Sequence, residues 1–183
     1  MPSDCRSVVW NDGQLQAPAE LLRRFHDATA GSELAADAEV VCHHDFGPWN
    51  LVWREALPVG MIDFDSAAPG RRLDDLGYAI WKHLNLGLID LPLAEQGRRL
   101  RPMTTAYGVS ADDQVLRAIA QAQERMRQLI EAAPQGGGRG EALGQNKRER
   151  DWLQANGDLL LWDSSGTCPG SDPGHVRRGR CEL

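Results

Sequence analysis

The chain is expected to fold as a mainly helical α+β domain. Three observations carry that expectation: apolar residues recur at helical spacing over most of the chain, two short β-like runs flank a five-residue break near residue 55, and one glycine-rich interruption falls late. At 183 residues the chain can bury a single respectable core. Leu21, Leu22, Phe25 and Ala28 form one helical face, with Pro18 suited to a first turn, where its missing N–H costs nothing. Glu39-Val40-Val41-Cys42 reads as a short strand. Leu51-Val52-Trp53 and Val59-Gly60-Met61-Ile62 read as hairpin arms around Arg54–Pro58, and Ser66–Gly70 reads as a turn. Leu76, Ala79, Ile80, His83 and Leu84 mark a second helix, which would turn Trp81 and Lys82 to its other side. A third helix covers Leu91 to Tyr107, with Gly97 and Pro102 weakening or kinking it. Val115, Ile119, Ala122, Met126 and Ile130 mark a fourth, with Ser110 and Asp113 as a capping pair. Pro134 through Gly140 is a connector, Asn146 to Trp162 a final helix, and the Ser-, Gly- and Pro-rich stretch 163–183 too poor in apolar residues to order itself.

Composition narrows the functional classes. A formal net charge of −6 argues against nucleic acid or an anionic membrane as a main partner. No apolar run is long enough to span a bilayer and no basic-then-apolar leader opens the chain, so a soluble, cytoplasmic protein is expected. Cys5, Cys42, Cys168 and Cys181 have neither zinc-like spacing nor a dense disulfide framework.

The chemistry concentrates in residues 43–65. His43-His44-Asp45 is followed by Asn50 and, after the hairpin, by Asp63-Phe64-Asp65. A kinase catalytic loop has the form H-x-D-x-x-x-x-N. Its Asp accepts the proton of the substrate hydroxyl, its Asn holds magnesium, and a later Asp at a strand end holds metal against the phosphates. Pairing Leu51 with Ile62 and Trp53 with Gly60 would set Asn50 opposite Asp63, close enough to share one hard cation. An H-x-D triplet alone is common; the preceding strand, the Asn five residues on and the apolar run ending in Asp63 make the conjunction specific. Asp65 has two readings, a ligand to a second metal or a basic substrate group, or a cap on the following turn. His26, on its amphipathic helix, reads as a packed or hydrogen-bonded histidine.

Val40–Asn50, Gly60–Asp65 and Arg72–Ala79, with the upstream Leu21–Ala28 helix, resemble the aminoglycoside phosphotransferase and choline kinase superfamily of protein-kinase-like enzymes. The likeness spans roughly residues 10 to 160. It implies that Asp45 is the catalytic base, that His43 braces the loop, that Asn50 and Asp63 bind Mg²⁺ or Mn²⁺ beside the ATP co-substrate, and that Asp75 holds the loop in shape. The implied partners are a nucleotide and a small hydroxyl compound, and the implied fold is a kinase-like C-terminal lobe over residues 17–162, with a small hairpin at the metal site, residues 1–16 as a remnant of the interlobe segment and 163–183 as a disordered tail.

Only 44 residues precede Asp45, no G-x-G-x-x-G occurs, and the two lysines, Lys82 and Lys147, both follow the catalytic loop. The N-terminal nucleotide lobe is therefore expected to be absent, leaving a truncated form with little activity alone and an exposed lobe interface open to association. Two alternatives compete. One is a metal-dependent phosphohydrolase of the HD type using His26, His43 or His44, and Asp45, although Gly47-Pro48 bars the helix such a pair needs. The other is a lobe that binds without catalysing. Asp90, Glu95, Asp112 and Asp113 are candidates to attract a cationic acceptor, or else helix-end charges.

Overall fold

The computed structural model describes residues 9–134, 136 and 138–161; the expected tail lies outside them. Five α-helices surround two small antiparallel strand pairs: α1 (Asp12–Thr29), β1 (Val40–Cys42), β2 (Leu51–Arg54), β3 (Leu57–Met61), β4 (Ala68–Gly70), α2 (Arg72–Leu84), α3 (Leu93–Tyr107), α4 (Asp113–Ala132) and α5 (Arg139–Leu160). The mainly helical expectation holds. α1 packs on α3, α2 on α4, and α5 on both α3 and α4. Leu15, Leu22, Leu76, Ile80, Leu100, Met103 and Ile119 are fully buried between them, and burial of each such side chain contributes about 1.5–3 kcal/mol. No helix among the described residues is long and apolar enough to cross a membrane.

Helix boundaries follow the caps more than the apolar stripes. Asn11 opens α1 through a reciprocal capping box with Gln14, so Pro18 lies inside the helix rather than in its first turn, and the helix runs through the expected boundary at residue 17. α4 is capped by Asp112, whose carboxylate accepts from the Gln114 and Val115 amides, and not by Ser110. α5 begins at Arg139 behind Gly138, seven residues ahead of the expected start. α3 continues through Gly97 and Pro102. Trp81, away from the apolar stripe of α2, is also only 1% exposed, because α2 is covered on nearly all sides.

The hairpin differs from expectation in register. Leu51 pairs with Met61 and Val52 with Gly60, after which the ladder shifts so that Trp53 faces Pro58. Glu55 and Ala56 both adopt positive φ, as a two-residue type I′ turn requires, which lengthens each arm to the turn and fixes a different register. Asn50 therefore stands opposite Ile62, whose N–H donates to the Asn50 carbonyl at 3.0 Å. Ala68–Gly70, which by composition reads as part of a turn, pairs as β4 with β1. This pairing joins the strand before the His43–Asn50 loop to the start of α2.

Candidate active site

Asp75 anchors the site. It lies in the first turn of α2, where the helix dipole favours a carboxylate. Its side chain is fully buried and accepts from the His43 amide at 2.6 Å, the His44 amide at 2.8 Å and His26 Nε2 at 3.1 Å. Burial pushes its carboxyl up, but the bonds from His26 and from the His43 and His44 amides outweigh that and hold it below the usual carboxylate range. With Nε2 donating to Asp75, His26 Nδ1 accepts from the buried Tyr107 hydroxyl at 2.6 Å. His26 is thus a hydrogen-bonded core histidine. Cys42 comes within the same cluster. Its Sγ–H donates to the Arg71 carbonyl, and burial pushes the thiol up to about 12, the state of a packed thiol rather than a metal ligand.

From this anchor the chain turns sharply. His44 has φ of 63°, and the loop closes through the Gly47 amide donating to the Asp45 carbonyl at 2.8 Å. His43 is buried and serves both sides of the site: Nε2–H donates to the Ile62 carbonyl at 3.0 Å, and Nδ1 accepts from the Asp45 amide at 3.3 Å. The ring also packs against Phe64, 4.9 Å between centroids, and Phe64 in turn meets Phe25. The His43 ring thus links the Asp45 amide to the Ile62 carbonyl. His44 is half-buried; burial lowers its ring pKa, and its Nδ1 finds no partner among the described residues.

Asn50 is 5% exposed, and its Nδ2 donates to both the Asp45 carbonyl and Asp45 Oδ2 at 2.9 Å. That commitment leaves the amide oxygen as the group available to a ligand. Asp63 follows directly on Ile62, whose peptide is held by Asn50 on one side and His43 on the other, and it adopts φ of 65°, a left-handed conformation sustained by that double clamp. Asp63 and Asp65 are both exposed, and among the described residues no hydrogen bond engages either carboxylate. Oxygen donors of this kind suit a hard divalent cation and not zinc.

Two residues that sequence reasoning did not single out complete the surroundings of Asp45. The Tyr78 hydroxyl from α2 donates to Asp45 Oδ1 at 2.5 Å, and burial together with this bond pushes its own pKa up. Trp49 lies against Gly47, where a Cβ would overlap the indole, and its Nε1 reaches Asp45 Oδ2 at 3.5 Å while the ring stays exposed. The spacing offered a clue only for Tyr78, three residues after Asp75 and so on the same helical face. Asp90 and Asp113 are exposed, Glu95 pairs with Arg98 and Asp112 caps α4, which is the helix-end role.

The His-Asp pair stands on a loop and not on a helix, and both His43 nitrogens are committed to the protein. This geometry speaks against the HD-type arrangement, which would use them on metal.

A trifolitoxin immunity protein from Rhizobium leguminosarum bv. trifolii is 34% identical over 124 residues, covering 55% of this chain and 47% of that protein. The chain thus spans about half the length of this curated relative. No solved structure matches this chain. The model of the phosphotransferase enzyme family matches residues 5–119 and so takes in α1, the His43–Asn50 loop, the hairpin, α2 and α3. The chain belongs to the phosphotransferase enzyme family.

Proposed function

We propose that this lobe transfers the γ-phosphoryl group of ATP to a hydroxyl of a small molecule, with Asp45 receiving the hydroxyl and Asn50 and Asp63 holding Mg²⁺ or Mn²⁺. The observation that supports this most is the 2.9 Å bond between Asn50 Nδ2 and Asp45 Oδ2 on a loop tied to Asp75. It orients Asp45 and leaves the Asn50 oxygen to a cation. A carboxylate has about four lone-pair positions. Asn50 and Trp49 take those on Oδ2 and Tyr78 one on Oδ1, so the acceptor hydroxyl would bind Oδ1 beside Tyr78. When bound, the metal would neutralise phosphate charge; the chain's own residues orient the nucleophile and take its proton. Asp65 stands two residues beyond Asp63 as a further cation ligand, and a reaction on ATP fits the cytoplasm.

Mn²⁺ tests the site directly. It should broaden the amide signals of Asn50, Asp63 and Asp65 selectively, and more weakly in Asp63→Ala. Uniform broadening over the surface would remove the metal site and the reading with it.

A second reading is a lobe that binds without transferring. It is favoured by the matched relative being named an immunity protein. Nucleotide binding separates the two, since a purely binding lobe need not take Mg·ATP.

A further inference from the structure

The turn that carries Asn50 is held from outside the loop as well as from within. Pro48–Asn50 form a single 3₁₀ turn, which the Asn50 amide closes by donating to the Gly47 carbonyl at 3.0 Å. So short a turn, with the poorer hydrogen-bond geometry of its kind, does little to fix its own orientation. A second hold comes from β2, where the Trp53 indole Nε1–H donates to the Pro48 carbonyl at 3.0 Å. The bond spans five residues and ties the hairpin back onto the turn from which it leaves. Among the described residues no hydrogen bond joins Trp53 to Asp45 or Asp63, so any influence it has on the site passes through that turn.

Trp53 is itself held in place. Its ring lies flat on Trp10, with 4.8 Å between centroids and the planes 6° apart. Trp10 is buried just ahead of Asn11, the cap of α1. Its own indole N–H finds no acceptor among the described residues, so Trp10 supports Trp53 through its ring face and not through a hydrogen bond. Behind Trp10 lies Arg99 of α3, 1% exposed, whose Nη2 donates to the Trp10 carbonyl at 3.0 Å while Nε and Nη1 have no partner. The carboxylates of Asp12 and Glu95 are taken by Arg98. A buried guanidinium is costly to keep, and here its hydrogen bond fixes the backbone of Trp10. Arg99, Trp10 and Trp53 thus run in line from α3 across the start of α1 to the Pro48 carbonyl, two residues before Asn50. Both Asn50 Nδ2 bonds go to Asp45, so a tilt of the turn weakens them together and turns the amide oxygen away from its present direction.

We propose that Trp53 is a positioning residue: its indole N–H, backed by Trp10 and Arg99, fixes the Pro48–Asn50 turn and so aims the Asn50 side chain at Asp45 and its oxygen at the metal. The effect on metal binding rests on the phosphotransfer reading. The effect on the direction of Asn50 does not.

Two ring substitutions in the full chain separate positioning from packing. Trp53→Phe keeps an aromatic ring on Trp10 and removes the N–H, whereas Trp10→Phe shrinks the same stack and leaves the bond to Pro48 in place. Both should lower the urea midpoint. Only Trp53→Phe should move the Asn50 side-chain amide signals in ¹H–¹⁵N spectra of the metal-free chain. It should also weaken Mn²⁺ binding, followed by broadening at Asp63, by about fivefold, the loss expected of one hydrogen bond. In the unaltered chain the Trp53 indole proton should exchange with solvent at least about tenfold more slowly than that of exposed Trp49, a measurement that holds whether or not either variant folds. Equal exchange of the two indoles, an unmoved Asn50 amide in Trp53→Phe, or equal displacement of that amide in both variants overturns the positioning role. If the amide moves while Mn²⁺ affinity stays unchanged, its bearing on the metal is overturned. If Mn²⁺ broadens neither Asn50 nor Asp63 in the unaltered chain, the phosphotransfer reading falls, and the amide and indole signals still decide the role of Trp53.

Discussion

Asp45 accepts from Asn50, Trp49 and Tyr78, so changes at this carboxylate reach the proposed chemistry before they reach the fold. Asp45→Asn keeps the shape and removes the proton acceptor. In a form of the lobe supplied with a nucleotide domain, turnover should fall by about 10²–10⁴-fold with nucleotide affinity nearly unchanged, as steady-state kinetics and calorimetry would report; retained turnover would move the base elsewhere. Asp75 acts differently, through backbone amides and His26. Its folded carboxyl sits below the ordinary 3.8, so its stabilisation is complete above that value and is lost as pH falls through the lower folded one. Asp75→Asn should therefore lower stability at pH 7 by about 3–5 kcal/mol, the cost of breaking a buried charged network. The gap from the unaltered chain in urea midpoint should narrow below pH 3.8. A gap constant with pH would show that the charge is not what holds the loop.

At the scale of elements, the site depends on how closely α2 approaches α4. Gly77 sits between Asp75 and Tyr78, and a Cβ there would overlap the Ala118 backbone. Gly77→Ala should force the helices apart, destabilising by about 1–3 kcal/mol as overpacking does, and should displace Tyr78 from Asp45. Denaturation together with a changed Tyr78 environment in near-ultraviolet circular dichroism would register both effects. An unchanged midpoint would mean that the contact is looser than the geometry requires. The hairpin carries a parallel lesson. Its apolar runs were legible, but its register depended on Glu55 and Ala56 adopting positive φ, a conformation neither residue type favours.

At the scale of the whole molecule, Trp49, Val52, Val59, Ile62 and Phe64 lie exposed along the hairpin and the loops beside it. A soluble monomer seldom leaves so many large apolar residues together. Concentration-dependent association is expected, weakened by Val52→Glu and visible in sedimentation velocity; a concentration-independent monomer would show that the face has no such tendency. Contacts to Mg·ATP made by residues 1–183 alone would lie largely in water and be individually weak. Calorimetric titration should find poor binding and a phosphate assay no turnover. A low-micromolar dissociation constant with turnover would overturn that expectation.

Helical content, the break after Ala132 and the run from His43 to Asp63 were readable because each depends on short-range pattern: apolar period, helix-breaking residues and the fixed spacing of a loop. Family membership followed from the same stretch. Beyond local pattern lay whatever two distant segments decide together. Glu39–Cys42 read as a strand, but its partner at Ala68–Gly70 looked like a turn. Asp75 was placed in support of the loop by likeness, whereas its bonds to the His43 and His44 amides, and through His26 to Tyr107, join α1, the loop, α2 and α3. Tyr78 on Asp45 and Arg99 behind Trp10 arise only when segments far apart in the chain are packed. The sequence by itself determined which groups were available for phosphate chemistry, because their type and spacing are written locally; tertiary packing alone decided which atoms were already committed and which were left for a ligand.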